Sequence, residues 1–202
     1  MEKIISLLAT MISVTILSAQ SDKNLHLTTG VGINKIQGEL GKTFRNSVAF
    51  NSGFEKSFSN SWFGVLEVNF NTIKYDQQFR DESSPYLFQN TSSSLITIGI
   101  NGGYDFHFGK SGVFASPYTG TGYVNVGEPR VYLDEINNII TQQIVRKNGI
   151  IWKAGGRVGL ITKSKLLQTI YLDGSWWTSS AKSHGNRFES VSVFIGLRMK
   201  MN

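Results

Sequence analysis

From residue 25 onward, apolar side chains recur at every second position in one segment after another. In the first, Leu25, Leu27, Thr29, Val31 and Ile33 share a face, with His26, Thr28, Gly30, Gly32 and Asn34 on the other. Successive side chains of an extended strand point to opposite faces, so a period of two predicts strands rather than helices. The same alternation predicts strands over 48–55, 62–72, 95–106, 150–161, 170–177 and 190–201. The cleanest sets Ile96, Ile98, Ile100, Gly102, Tyr104 and Phe106 against Leu95, Thr97, Gly99, Asn101, Gly103 and Asp105. One more strand, about 113–126, is rich in Gly, Tyr and Thr. Pro117 suits a strand start or a bulge there, and the two faces are not assigned.

Eight strands result, and the connections between them alternate in length. Those at 57–61, 107–112 and 163–168 are short; those at 74–92 and 127–148 are long, with 36–46 and 179–189 intermediate and in the long series. Short turns on one side, longer loops on the other and an even strand count are the pattern of an up-and-down transmembrane barrel, both of whose termini lie on the short-turn side. The expected fold is therefore all-β: an eight-stranded antiparallel up-and-down transmembrane β-barrel.

Alternation does not say which face looks outward, and a secreted lipocalin-like binding barrel also has eight strands. Three features favour lipid outside. The apolar faces belong to segments near the nine to eleven or so residues of a tilted spanning strand. The charged faces carry both signs, and glycines accompany the charges. Glu55, Glu67, Asp105 and Asp173 are then expected to meet Lys153, Arg157, Arg198 and Lys200 inside, because a buried charge is costly unless paired. Such a core fills a narrow lumen and leaves no open pore. Phe58, Trp62, Tyr104, Phe106, Phe114, Tyr118 and Tyr171 lie near the short-turn ends of their strands and are expected at headgroup depth, with Trp152, Trp176 and Tyr75 at the opposite interface.

The N-terminus adds a destination. Lys3 precedes an apolar stretch, Ile4 to Leu17, which is too short to span a bilayer comfortably and is followed by Ser18, Ala19 and Gln20. This reads as a signal peptide over 1–20, leaving 21–202 as the barrel domain. The absence of cysteine removes both a disulfide scaffold and a lipid anchor. The net charge of +6 comes without a basic run or a nucleic-acid-binding pattern, so no nucleic-acid partner is expected.

With signal, strands and the closing Val191 to Met201 segment together, the mature chain resembles the small outer-membrane β-barrels of the OmpA and OmpX type. The strand Ser116-Pro117-Tyr118-Thr119-Gly120-Thr121-Gly122-Tyr123 and the ending Phe194-Ile195-Gly196-Leu197-Arg198-Met199-Lys200 look like those of barrels from the Bacteroidota. The resemblance implies the outer membrane, contact with its lipid and lipopolysaccharide, and insertion by the outer-membrane assembly machinery. Many members of the family end on an aromatic residue; this chain ends on Asn202.

Some barrels of this architecture hydrolyse or transfer acyl groups of lipid A with a His, a Ser and a carboxylate at the outer rim, since ester attack needs an activated hydroxyl. The three histidines are His26, His107 and His184. The first two fall at the short-turn end, leaving Ser183, His184 and Glu189 as the conceivable set, in a loop with little to hold its geometry. No metal-ligand cluster or phosphate-cradling motif is present, and no cofactor is expected. Lys42, Arg45, Arg130, Arg146, Lys147, Lys182 and Arg187 are loop cations suited to lipopolysaccharide phosphates, diluted by Asp81, Glu82, Glu128, Asp134 and Glu135. The expected function is a non-enzymatic, monomeric surface barrel supporting envelope integrity or adhesion. The alternatives are a lipid A-modifying hydrolase barrel and the soluble lipocalin-like barrel.

Overall fold

In a computed structural model, residues 24–58, 61–75, 91–109, 111–137, 139–164, 166–183 and 185–201 are described. Among them, eight strands form the wall: β1 (Leu25–Ile36), β2 (Ser47–Ser57), β3 (Trp62–Tyr75), β4 (Thr91–Tyr104), β5 (Val113–Asp134), β6 (Ile139–Ile161), β7 (Leu167–Ser183) and β8 (Asn186–Lys200). Each pairs antiparallel with its sequence neighbour, and β1 closes the circle on β8 through register pairs running from His26↔Lys200 to Ile36↔Ser190. Two two-residue ladders extend the wall: Phe44–Arg45 on β3 and Phe106–His107 on β5. Closure leaves no free edge within the wall itself, and every strand partner is a chain neighbour except β1 and β8.

The polarity of the wall is inverted relative to a water-soluble protein. Val31, Ile33, Val48, Phe50, Ile100, Ile150, Val158, Leu172, Val193 and Ile195 are all exposed on the outside. Inside sit Glu55, Glu67, Asp105, Lys153, Arg157, Asp173 and Arg198, each buried. The lipocalin-like alternative requires the reverse, with the isoleucines of β4 lining a cavity.

The long connection expected at 127–148 and the intermediate one at 179–189 are instead largely strand. β5 and β6 stay paired from Val113↔Leu160 to Asp134↔Ile139, so Gly127↔Arg146 and Pro129↔Ile144 lie within a ribbon rather than a loop. A hairpin that continues past the barrel pairs residues close in sequence, and the Gly-Glu-Pro turn signal is overridden by that local ladder. At its tip the Asp134 carboxylate accepts from the backbone of Ile136 and Asn137 and from the Asn137 side chain at 2.8 Å. These donors, the side-chain amide first, hold its carboxyl below the usual carboxylate range. β7 and β8 likewise run to Ser183 and from Asn186, turning at Gly185, whose φ of +77° suits glycine.

β5 also acquires a register. Pro117 pairs with Gly156 of β6 and sits where the ladder to β4 pauses, between Gly103↔Tyr118 and Phe106↔Ala115, so its missing N–H interrupts no bond there.

Candidate functional site: the charged lumen and its apolar stopper

The lumen is layered along its axis. Nearest the short-turn end, Arg157 reaches from β6 with Nη1 2.6 Å from Glu55 Oε2 and Nε 3.0 Å from Asp173 Oδ2. Arg198, from β8, places Nη1 3.2 Å from Asp105 Oδ2, and its Nε makes an ion-pair contact of 3.0 Å with Glu55 Oε1 that is not an aligned hydrogen bond. The Ser116 hydroxyl donates to the other oxygen of Asp105, and the Tyr118 hydroxyl donates to Asp173 at 2.7 Å. Three aromatic rings, Phe63, Tyr118 and Tyr171, surround the Arg157 guanidinium with centroids 5.1–5.4 Å away.

Inward glycines make room for those rings. A Cβ on Gly155 would lie 2.6 Å from the Tyr118 ring, and one on Gly196 would collide with Tyr171. This is the physical content of glycine and charge sharing a face: a delocalised cation stacked on aromatics needs bare backbone opposite.

Above this cluster lies a second pair, Lys153 Nζ 2.5 Å from Glu67 Oε1. The other Glu67 oxygen accepts from Asn51 Nδ2 at 3.2 Å, and Asn69 bridges to Thr97 at 3.0 Å. The void beside them, bounded by Asn69, Leu95, Lys153 and Trp177 among others, is about 10 Å³, at most one water.

The outer half of the lumen holds an apolar cluster. Ile73, Tyr75, Leu95, Val124, Val126, Ile151, Trp177, Ala181 and Phe188 pack together, and the β1–β2 connection folds inward to add Leu40 and Phe44 around a single helical turn, α1 (Leu40–Thr43). Phe44 meets Tyr75 edge-on at 5.1 Å and Phe188 at 5.4 Å. Sequence reasoning missed this stopper, although part of its signal is present: on the β3 inward face the polar residues give way to apolar ones toward the outer end, from Asn71 to Ile73 and Tyr75.

Several expected site residues lie elsewhere. Lys200 ends β8 half-buried opposite His26 and makes no ion pair among the described residues; the network closes on Arg157 and Arg198 instead. Tyr118 and Tyr171, expected among the interfacial aromatics, are buried in the lumen, and so are Phe114 and Tyr75. Distance along the strand suggested the interface, but Tyr171 has the parity of Asp173, and face outweighs height. Trp62, Tyr104 and Phe106 do lie outside, meeting edge-on with centroids 5.3 and 4.8 Å apart at the short-turn end. Trp152, 65% exposed, and Trp176 lie outside toward the other end.

The conceivable catalytic set does not assemble. His184 lies outside the described residues. Ser183 is buried on the inner face, whereas Glu189 pairs with Thr178 on the outer face and lies 3.4 Å from its hydroxyl. A nucleophile and its carboxylate on opposite faces of a sheet cannot share a base. Among the described residues, no three His, Asp or Glu side chains converge as metal ligands. Removing the Tyr118 hydroxyl alone should be felt: Tyr118→Phe leaves a buried Asp173 oxygen short of a donor. A loss of about 1–2 kcal/mol is expected in urea titrations of the refolded barrel.

This architecture defines a class: a closed eight-stranded barrel, apolar outside and ion-paired within. No protein-family model matches the sequence, and no curated protein matches it. Solved structures do. Neisserial surface protein A aligns over 88% of this chain and 97% of its own at 15% identity, with a TM-score of 0.56. A major outer membrane protein from Thermus thermophilus aligns over 88% and 99% at 13% identity, TM-score 0.57. The N-terminal β-barrel domain of Pseudomonas aeruginosa OprF aligns over 87% and 98% at 10% identity, TM-score 0.50. The chain thus has the fold of small outer-membrane β-barrels; these neighbours do not support the Bacteroidota type.

Proposed function

We propose that this chain is a non-enzymatic β-barrel of the bacterial outer membrane, exported by a cleaved signal peptide. It would present its outer hairpins and loops at the cell surface in an envelope-integrity or adhesion role. The observation that carries this reading is the inverted wall: a belt of exposed Ile, Val, Leu and Phe around a lumen of buried ion pairs, a distribution that lipid stabilises and water does not. The stopper of Leu40, Phe44, Tyr75 and Phe188 argues against solute passage.

Trp62, Tyr104 and Phe106 on one side and Trp152 and Trp176 on the other fit interfacial girdles. Closure of β1 on β8 favours a monomer, and insertion would fall to the outer-membrane assembly machinery. Several loop cations are matched locally: Lys42 with Glu39 at 2.9 Å, and Arg130 and Lys147 with Glu128 at 2.9 and 3.9 Å. Lipopolysaccharide contact therefore falls to the remaining cations of the rim. The Bacteroidota type rests on the 116–123 strand and the 194–200 ending alone.

Fractionation with heat-modifiable electrophoresis tests the reading. Recovery in the outer-membrane pellet, with a mobility that changes on boiling, is the expected result. A soluble protein without the shift would sink it.

A further inference from the structure

At the outer rim the ladder between β2 and β3 is irregular. Arg45 pairs with Lys74 and Ala49 with Asn71, so residues 46–48 face only 72 and 73. The extra residue is a bulge, and bulges bend a wall and re-aim side chains. On the outer surface it opens a groove of about 350 Å³. Val48, Phe50 and Phe70 form its apolar floor, and Phe50 and Phe70 face each other across the ladder. Thr72 and Lys74 continue it upward.

The groove is amphiphilic along its length. Phe50 and Phe70 are 58% and 46% exposed and belong to the apolar belt. Lys74 stands four residues beyond Phe70, about 13 Å along the strand. Its ammonium makes no hydrogen bond or ion pair among the described residues, and its cross-strand neighbour on the same outward face is another cation, Arg45. Like charges placed directly opposite repel. An anion seated over Lys74 answers its ammonium directly.

We infer that this groove holds one phosphorylated lipid of the outer leaflet, with its phosphate at Lys74 beside Arg45 and an acyl chain along Val48, Phe50 and Phe70. The inference rests on the outer-membrane reading above. Charge complementarity selects the occupant: a neutral chain leaves the Lys74 ammonium unanswered, and a soluble anion leaves the phenylalanines bare.

The full mature chain, refolded in phosphatidylcholine nanodiscs doped with bis-phosphorylated lipid A, tests it, with lipid retention read by native mass spectrometry. Wild type should retain the phosphorylated form and not the same lipid stripped of phosphate. Lys74→Glu should lower retention about tenfold or more, the scale of one charge-assisted contact. Thr72→Trp, which fills the groove and leaves the charges, should lower it as well. Lys163→Glu, exposed at the short-turn end and far from the groove, should leave it unchanged. The boiling shift of each variant reports folding, and Lys74→Gln substitutes if the glutamate variant does not fold. Equal retention by wild type and Lys74 variants, or indifference to phosphate, overturns the inference while a wild-type shift keeps the outer-membrane reading. A lipid-free dimer abolished by Thr72→Trp assigns the groove to a second copy and also overturns it. A wild-type chain absent from the outer membrane fells both.

Discussion

Arg157→Ala should destabilise the barrel by about 3 kcal/mol or more, the scale of a buried ion pair broken on one side. The side chain is 3% exposed and lies against Glu55, Asp173 and three aromatic rings. The inner cluster holds three carboxylates, Glu55, Asp105 and Asp173, against two guanidiniums, Arg157 and Arg198, a formal charge of −1. Alanine takes it to −2 among side chains that are all buried. Glu55 keeps Arg198 at 3.0 Å, but Asp173 keeps only the Tyr118 hydroxyl.

The double variant Arg157→Met with Asp173→Asn returns the cluster to −1 and fills the volume, so it should recover more than half of the loss. Lys42→Ala, which breaks an exposed pair with Glu39, should change stability by a few tenths of a kcal/mol. Urea midpoints of the refolded barrel, read from the boiling-dependent band, separate the three. A double variant no better than Arg157→Ala would show that the rings, rather than charge balance, hold this layer together.

The strand count and the inward set Glu55, Glu67, Asp105, Lys153, Arg157, Asp173 and Arg198 were legible because a period of two fixes the face of every residue once one strand is oriented. What was illegible has particular causes. In β5, Pro117 and the Gly-Thr run erase the apolar contrast on which faces are read, and only pairing with β4 and β6 orients Tyr118. The β5–β6 ribbon beyond the wall was hidden by Gly127 and Pro129, whose turn propensity yields to hydrogen bonds from Val131↔Gln142 onward. The stopper was hidden because alternation reports face and not height: Leu95, Ile151 and Trp177 share faces with Asp105, Lys153 and Asp173, yet stand further toward the outer end of the lumen. Likewise the groove at Lys74 depends on a one-residue mismatch between β2 and β3, which no single strand's pattern contains.

Ile100→Arg should separate a lipid-facing wall from a wet one more sharply than any inward change. Ile100 is 65% exposed, on the outer face of β4 between Leu66 and Thr121, four residues from Tyr104 at the short-turn end. That is about 13 Å along a tilted strand, well inside the hydrocarbon. In water, arginine at so exposed a site touches nothing new and should change stability by less than about 0.5 kcal/mol. In a bilayer its guanidinium must be desolvated or drag headgroups inward, at about 2–4 kcal/mol near the midplane of a barrel. The same replacement at Lys182, outward but beyond the apolar belt, keeps its charge and should be nearly neutral in either medium. Refolding both variants into vesicles and into a detergent micelle, with urea midpoints compared in each, reads the difference directly. A large loss at Ile100 and none at Lys182 assigns the cost to a new charge placed in the hydrocarbon. An Ile100→Arg barrel as stable as its parent in vesicles would mean that this row of isoleucines never meets lipid.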